Sequence, residues 1–253
     1  MIYLTGDTHA EFKHRFNTEN FPEQNKMTKD DYVIICGDFG GVWDSGKESK
    51  CEKHNLDWFE SRSYTLLFID GNHENFDRLY KYPEKEWHGG KVHEIRPHVL
   101  HLMRGQVFEI DGTKIFTFGG ASSHDITGGI LEPDAPNYKE KKKELYESDL
   151  PFRINHISWW AEEIAAESEM EEGRKNLLKH NNEVDYIITH CCSTSTQDAI
   201  GGKGLYKADS QTDYLEYIKN NISYKKWFFA HYHENLNVSD KEILIYEQMI
   251  RIM

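Results

Sequence analysis

Met1-Ile2-Tyr3-Leu4-Thr5-Gly6-Asp7-Thr8-His9 opens the chain with a short apolar run that ends in a carboxylate and an imidazole. The run reads as a β-strand. Four later runs repeat the pattern: Tyr32 to Cys36 leads into Gly37-Asp38, Leu66 to Ile69 into Gly71-Asn72-His73-Glu74, Val184 to Ile188 into His190, and Trp227 to Ala230 into His231-Tyr232-His233. In an open α/β sheet the strand ends converge on one crevice, so side chains just past several strands can meet there although the whole chain separates the first from the last.

Between these anchors the pattern alternates as an α/β unit should. A helical stretch around Cys51 to Arg62 separates the second strand from a third at 65–69, and Asn75 to Tyr80 turns into a short helix. From Val92 to Ala121 the chain becomes β-rich, with a turn at Asp111-Gly112. Residues 122 to 155 break the composition with Gly128-Gly129, three of the six prolines and the charged run Lys139 to Glu144. They read as a solvated loop with one charged helical turn, or as a lid over the crevice. Ile157 to Leu178 reads as one long amphipathic helix, and a strand at 184–188, a helix near Thr212 to Asn220, a strand at 227–230 and a closing hairpin complete the chain. The expectation is one domain, residues 1–253, with an insertion at about 122–182. The edge of the closing hairpin could pair with a second copy, though nothing in the sequence requires it.

Composition narrows the function classes. At 253 residues and 38% hydrophobic content the chain can bury a sizeable core. Acidic residues outnumber basic ones 43 to 30, for a formal charge of -13, which disfavours a general nucleic-acid binder. Cys36, Cys51, Cys191 and Cys192 are too few and too irregularly spaced for a disulfide framework, and reduced thiols fit better. No apolar run approaches a membrane span and no leader pattern precedes Asp7, so the expected location is cytoplasmic.

The spacing of the polar residues has its own chemistry. Asp7 and His9 are two apart, as are His231 and His233, and in extended backbone each pair projects to one side as a clamp. Mixed carboxylate and imidazole donors suit manganese, iron or zinc, and the absence of clustered thiols argues against a structural zinc site.

Taken in order, the five elements resemble the two-metal site of the calcineurin-like metallophosphoesterase superfamily. The resemblance implies an α/β fold, a sandwich of two mixed β-sheets flanked by helices (αββα). It also implies a pair of divalent ions, manganese first with iron, zinc or a mixture as alternatives, bridged by Asp38. Asp7, His9 and His233 would complete one ion, and Asn72, His190 and His231 the other. Hydrolysis of a phosphomonoester or phosphodiester would follow, with a metal-bridging hydroxide as nucleophile and His73 as the acid that protonates the leaving oxygen. Two divalent ions against Asp7, Asp38 and that hydroxide leave about one net positive charge, enough to draw a small phosphoester, a nucleotide among the candidates, to an acidic protein. Asn72 and His73 are also candidate substrate contacts, joined by Arg78 and His124 on weaker grounds. The phosphoprotein phosphatases of this superfamily carry an acid and an arginine shortly after the Gly-Asp motif, where this chain has Phe39-Gly40-Gly41-Val42-Trp43. A protein serine/threonine phosphatase is therefore disfavoured. The alternatives are a non-catalytic metal-binding scaffold on the same fold, or a nuclease.

Overall fold

The computed structural model describes residues 1–253. It begins with β1 (Ile2–Thr5), α1 (Phe12–Arg15), β2 (Tyr32–Cys36), α2 (Lys50–Glu60), β3 (Thr65–Ile69) and α3 (Phe76–Leu79). A β-rich stretch follows: β4 (Glu84–Trp87), β5 (Gly90–Arg96), β6 (Val99–Leu102), β7 (Gln106–Ile110) and β8 (Thr113–Phe118). Next come β9 (Ile130–Leu131), α4 (Tyr138–Glu147), β10 (Arg153–Ile154) and α5 (Glu167–Lys179). The last third holds β11 (Tyr186–Thr189), α6 (Thr194–Gly201), α7 (Ser210–Asn221), β12 (Lys226–Phe229), β13 (Leu236–Asn237), β14 (Glu242–Leu244) and β15 (Ile250–Arg251).

Two mixed sheets result. The first runs β15-β1-β2-β3-β6-β5-β4 and the second β13-β14-β12-β11-β8-β7. Their centres, β1-β2-β3-β6 and β14-β12-β11-β8, are parallel. Parallel strands are covered on both faces, which is why every residue of β2 and β3 is buried and all but Thr65 are apolar or aromatic.

The period of two sorts those side chains into layers. Ile2, Leu4, Ile34, Leu67 and Ile69 point inward to meet Phe108, Ile115, Ile188 and Phe228 of the second sheet. Their neighbours Tyr3, Val33, Ile35, Leu66 and Phe68 point outward onto Phe12, Phe16, Leu56 and Phe59 of α1 and α2. On the far side Phe116, Ile187, Trp227 and Phe229 pack against Met170 and Leu177 of α5 and Tyr214, Leu215 and Ile218 of α7. Each such side chain contributes about 1.5–3 kcal/mol on burial, so three contiguous cores outweigh any single polar contact. This is the αββα sandwich expected from the sequence. No helix is long and apolar enough to cross a membrane.

Two sequence expectations change. Residues 157–178 are not one helix: a single 3₁₀ turn at Ala161–Glu163 precedes α5, and Ile164 between them is extended. Trp160 is buried in the outer core of the first sheet, whereas Ala165, Met170 and Leu177 belong to that of the second. The segment must cross from one layer to the other, which a straight helix cannot do. The charged run at 139–144, expected as one helical turn, lies within the ten-residue α4.

Candidate metal centre

All the anchor residues sit immediately past their strands. Asp7, Asp38 and Asn72 follow β1, β2 and β3 of the first sheet, while His190 and His231 follow β11 and β12 of the second. The two sheets thus meet at one edge. The backbone there is bent, not extended: His9, Asp38, His231 and His233 all have left-handed φ, at 43°, 46°, 73° and 53°. The clamps expected from pleated spacing are therefore made by tight turns that aim both side chains inward. Non-glycine residues in this region cost of order 1–3 kcal/mol each and persist where the surroundings enforce them, which is characteristic of functional sites. Two glycines make room. A Cβ on Gly37, at φ 99°, would collide with the His190 ring, and one on Gly71 with the Asp38 carboxylate.

Six side-chain donors converge, and His231 stands beside them. His233 Nε2 lies 2.9 Å from Asp7 Oδ2, and His9 Nε2 is 3.9 Å from that oxygen, 3.7 Å from Asp38 Oδ2 and 3.1 Å from His233 Nε2. On the other side His190 Nε2 is 3.5 Å from Asp38 Oδ1 and 3.2 Å from Asn72 Oδ1. Asp38 thus turns one oxygen toward His9 and the other toward His190. Groups Asp7, His9, His233 and Asp7, Asp38, His190 are each compact enough to hold an ion. His231 joins through its backbone N–H, which donates to Asp7 Oδ1 at 3.2 Å, and its ring lies 5.0 Å from that of His190.

Two observations test whether these residues fit metal ions. Asp7 Oδ2 is buried and makes no hydrogen bond, despite the nearby His233 nitrogen. His190 Nδ1 faces the Cys36 carbonyl at 2.8 Å and must donate to it, which fixes Nε2 as the unprotonated nitrogen turned toward Asp38 and Asn72. A buried carboxylate oxygen facing clustered imidazole nitrogens is a mixed O/N donor set, and it fits manganese, iron or zinc.

The electrostatics follow from the crowding. Burial pushes the Asp7 carboxyl up, but His190, His233 and the His231 N–H outweigh it and hold Asp7 below the ordinary carboxylate value. Burial, reinforced by Asp7, holds Asp38 above that value against the pull of His190 and His73. Burial and then the neighbouring His190 and His124 keep His231 well below the usual imidazole range, as a neutral ligand.

The remaining candidates divide. His73 stays beside the cluster, its backbone N–H donating to Asp38 Oδ1 at 2.7 Å and its ring 5.2 Å from that of His9. Burial first, and then Arg153, lower its imidazole despite Asp38. His124 Nε2 lies 2.8 Å from His231 Nε2, at the edge of the cluster. Arg78 is the correction: it is buried in an ion pair with Glu52, 2.7 Å away, and donates to the Asp44 carbonyl. Its guanidinium fastens the 43–52 segment and is spent there, so it is not available to a phosphate.

Sequence reasoning passed over several residues that shape the site. Asn72 Nδ2 donates to Ser123 Oγ at 3.2 Å, and Ser123 Oγ donates to the buried Glu163 at 2.6 Å, a relay that turns the Asn72 carbonyl oxygen toward His190. Glu74, fully buried and held well above its ordinary value by burial and by Asp38, accepts the Phe39 N–H at 2.8 Å and so braces the turn that carries Asp38. Arg153 reaches in from β10: its Nη2 is 3.4 Å from His73 Nε2, while Nε donates to Asp125 at 3.0 Å. Glu74 stood inside the quoted Gly71-Asn72-His73-Glu74 element, and Ser123 follows the strand that ends in Gly119-Gly120. A lone arginine in an aperiodic insertion carries no such signal.

Comparison with known proteins agrees with this geometry. The family model for calcineurin-like phosphoesterases matches residues 1–235. Lariat debranching enzyme A of Xenopus laevis is 26% identical over 144 residues, 52% of this chain and 26% of that protein. The lariat debranching enzyme of Danio rerio is also 26% identical over 144 residues, covering 52% of this chain and 24% of its own length. The chain thus spans about a quarter of the length of the curated relatives it matches. The crystal structure of phosphopantetheinyl hydrolase from Mycobacterium tuberculosis superposes with a TM-score of 0.46 at 12% identity, over 97% of this chain and 87% of that one. With the family model covering nearly the whole sandwich and every anchor at a strand end, the chain belongs to the calcineurin-like phosphoesterases.

Proposed function

We propose that this chain is a metal-dependent phosphoester hydrolase acting on a small phosphoester, and that residues 122–182 of its single domain set the substrate. The observation that carries the reading is the convergence of carboxylate, amide and imidazole donors from both sheets, with the His73 imidazole beside them and not among them. Asp7, His9, Asp38 and His233 would hold one divalent ion and Asp38, Asn72, His190 and His231 the other, manganese being the first choice. When bound, such ions activate water and neutralise phosphoryl charge.

The chain's own groups supply the rest. Asp38 fixes the His73 backbone and so the position of its ring. From there His73 delivers a proton to the departing ester oxygen, an effect worth about 10² to 10⁴ in rate. Asn72, a neutral ligand held by Ser123 and Glu163, keeps the site's charge balance favourable to an anion. A cytoplasmic location belongs to the same proposal.

A second reading, hydrolysis of a nucleic-acid diester, is favoured by the names of the two debranching relatives and disfavoured by the formal charge of -13. The test is metal content measured together with manganese-stimulated hydrolysis of p-nitrophenyl phosphate, bis-p-nitrophenyl phosphate and a branched RNA, with Asp38→Asn as control. Two ions per chain and turnover abolished by Asp38→Asn support the hydrolase. Cleavage of the RNA alone favours the second reading, and metal without turnover on any substrate refutes the hydrolase in favour of a scaffold.

A further inference from the structure

We infer that Arg153, delivered by the 122–160 segment and aimed by Asp125, is the phosphate-reading arm of this site and selects dianionic phosphomonoesters over diesters. The inference rests on the hydrolase reading above and adds to it a substrate class and the residue that decides it.

The guanidinium is held through two of its nitrogens and open at the third. Of its five N–H donors, Nε is taken by Asp125 Oδ1 at 3.0 Å and Nη2 by Asp125 Oδ2 and by His73 Nε2 at 3.4 Å. Nη1 makes no hydrogen bond within the protein, so both of its donors are free. Only 19% of the side chain is exposed, against 48% for Asp125, so water screens the carboxylate more than the cation it holds. A buried, planar guanidinium with two donors unclaimed on one nitrogen has charge-assisted N–H groups to offer an oxyanion.

The segment that carries Arg153 is fastened to the site and not merely folded over it. Arg153 pairs in parallel register with Ile130, and the backbone N–H of Ile154 is held by Ser158 Oγ at 3.0 Å. Just beyond, Trp160 Nε1 donates to Asp77 Oδ2 at 2.8 Å, and His156 Nδ1 lies 2.9 Å from the same oxygen. Asp77 is on α3, the helix that begins three residues after His73. The arm and the imidazole it meets are thereby tied to one rigid element. Trp43, leaning on both His73 and Trp160, closes the wall between them.

The substrate class follows from oxygen count and charge. Near neutral pH a phosphomonoester presents three terminal oxygens and close to two negative charges, whereas a diester presents two such oxygens and one charge. The free Nη1 donors beside the leaving-group histidine have an oxyanion to engage in the monoester. In the diester one of those positions carries a second ester substituent, which offers no charge and brings bulk toward the 122–160 segment.

The test compares the metal-loaded wild type with Arg153→Met, Arg153→Lys and Asp125→Asn, in two readouts. One is kcat/KM on p-nitrophenyl phosphate and on bis-p-nitrophenyl phosphate, and the other is calorimetric titration with inorganic phosphate. For Arg153→Met the expectation is a loss on the order of 100-fold on the monoester, less than about fivefold on the diester, and phosphate binding weakened by roughly the same factor as the monoester. Arg153→Lys, which keeps the charge without the planar guanidinium, should fall between, and Asp125→Asn should cost about tenfold on the monoester by releasing the arm. Equal losses on both esters, or an unchanged phosphate affinity, would overturn the assignment. Should the wild type hydrolyse neither ester, the hydrolase reading fails, and the phosphate titration still decides whether Arg153 reads phosphate.

Discussion

Replacing Arg78 by methionine would remove one half of a buried ion pair and keep the length of its stem. The guanidinium and its partner Glu52 are only 8% and 6% exposed, and Nη1 lies within 2.8 Å of both carboxylate oxygens. Glu52 also accepts the backbone N–H groups of Trp43 and Asp44, each at 2.6 Å, and that of Ser49 at 3.2 Å. Breaking such a pair from one side typically costs 3–5 kcal/mol, because the remaining charge stays buried without a counter-ion. The three N–H donors left on Glu52 place the expected loss near the lower end, about 3 kcal/mol. For a chain of this size that is a fall in Tm of roughly 6 °C. Urea and thermal denaturation measure it, and Arg78→Met combined with Glu52→Gln should recover part of the loss by removing the stranded charge. The reasoning also requires that KM for a phosphoester stay within about twofold of wild type, since the guanidinium is spent on Glu52. A tenfold rise in KM with stability unchanged would refute it and return Arg78 to the substrate.

Other expectations concern the site and its surroundings. His73→Ala should keep its metal and lose turnover by about 10² to 10⁴ on esters with poor leaving groups, with a smaller loss on p-nitrophenyl esters; equal losses would exclude the acid role. Ser123→Ala frees the Asn72 amide, and metal affinity measured by competition with a chelator should weaken about 10- to 100-fold, with no change if the relay is incidental. Burial, then His101, lowers His93 from the ordinary imidazole value to about 4. Because the folded pKa lies below the unfolded one, this contribution to stability is complete above about pH 6.5 and declines as pH falls toward 4, by up to about 3 kcal/mol. Denaturation at several pH values should show that decline in the wild type and a shallower one in His93→Gln; identical slopes would assign it to other groups.

How much of this the sequence disclosed depended on how local each cause was. The strands at 32–36 and 65–69 are residue-for-residue where the apolar runs placed them, because parallel strands buried on both faces must be continuously apolar. The gathering of the candidate residues was legible for a related reason, since each stands just past such a run. Trp160 shows the opposite case: read as part of a helix, it is extended, and its indole is claimed by the first sheet while Met170 and Leu177 belong to the second, which only the packed structure says. Arg78 and Arg153 looked alike on paper, two isolated arginines. One is consumed by Glu52, 26 positions away, and the other is aimed by Asp125, 28 positions away, so their roles were set by partners that no local pattern names.

The joining of two sheets at one cluster bears on how the protein is made. Both compact donor groups, Asp7 with His9 and His233 and Asp7 with Asp38 and His190, take at least one histidine from the second sheet, and the Asp7–His231 contact closes over 224 positions. Neither sheet folded alone presents a complete group, so a half-made chain emerging from the ribosome has nothing with which to trap a cation in the wrong geometry. Metal capture comes after the sheets have docked. It should therefore slow unfolding far more than it speeds folding, and loaded protein should differ from apoprotein chiefly in lifetime.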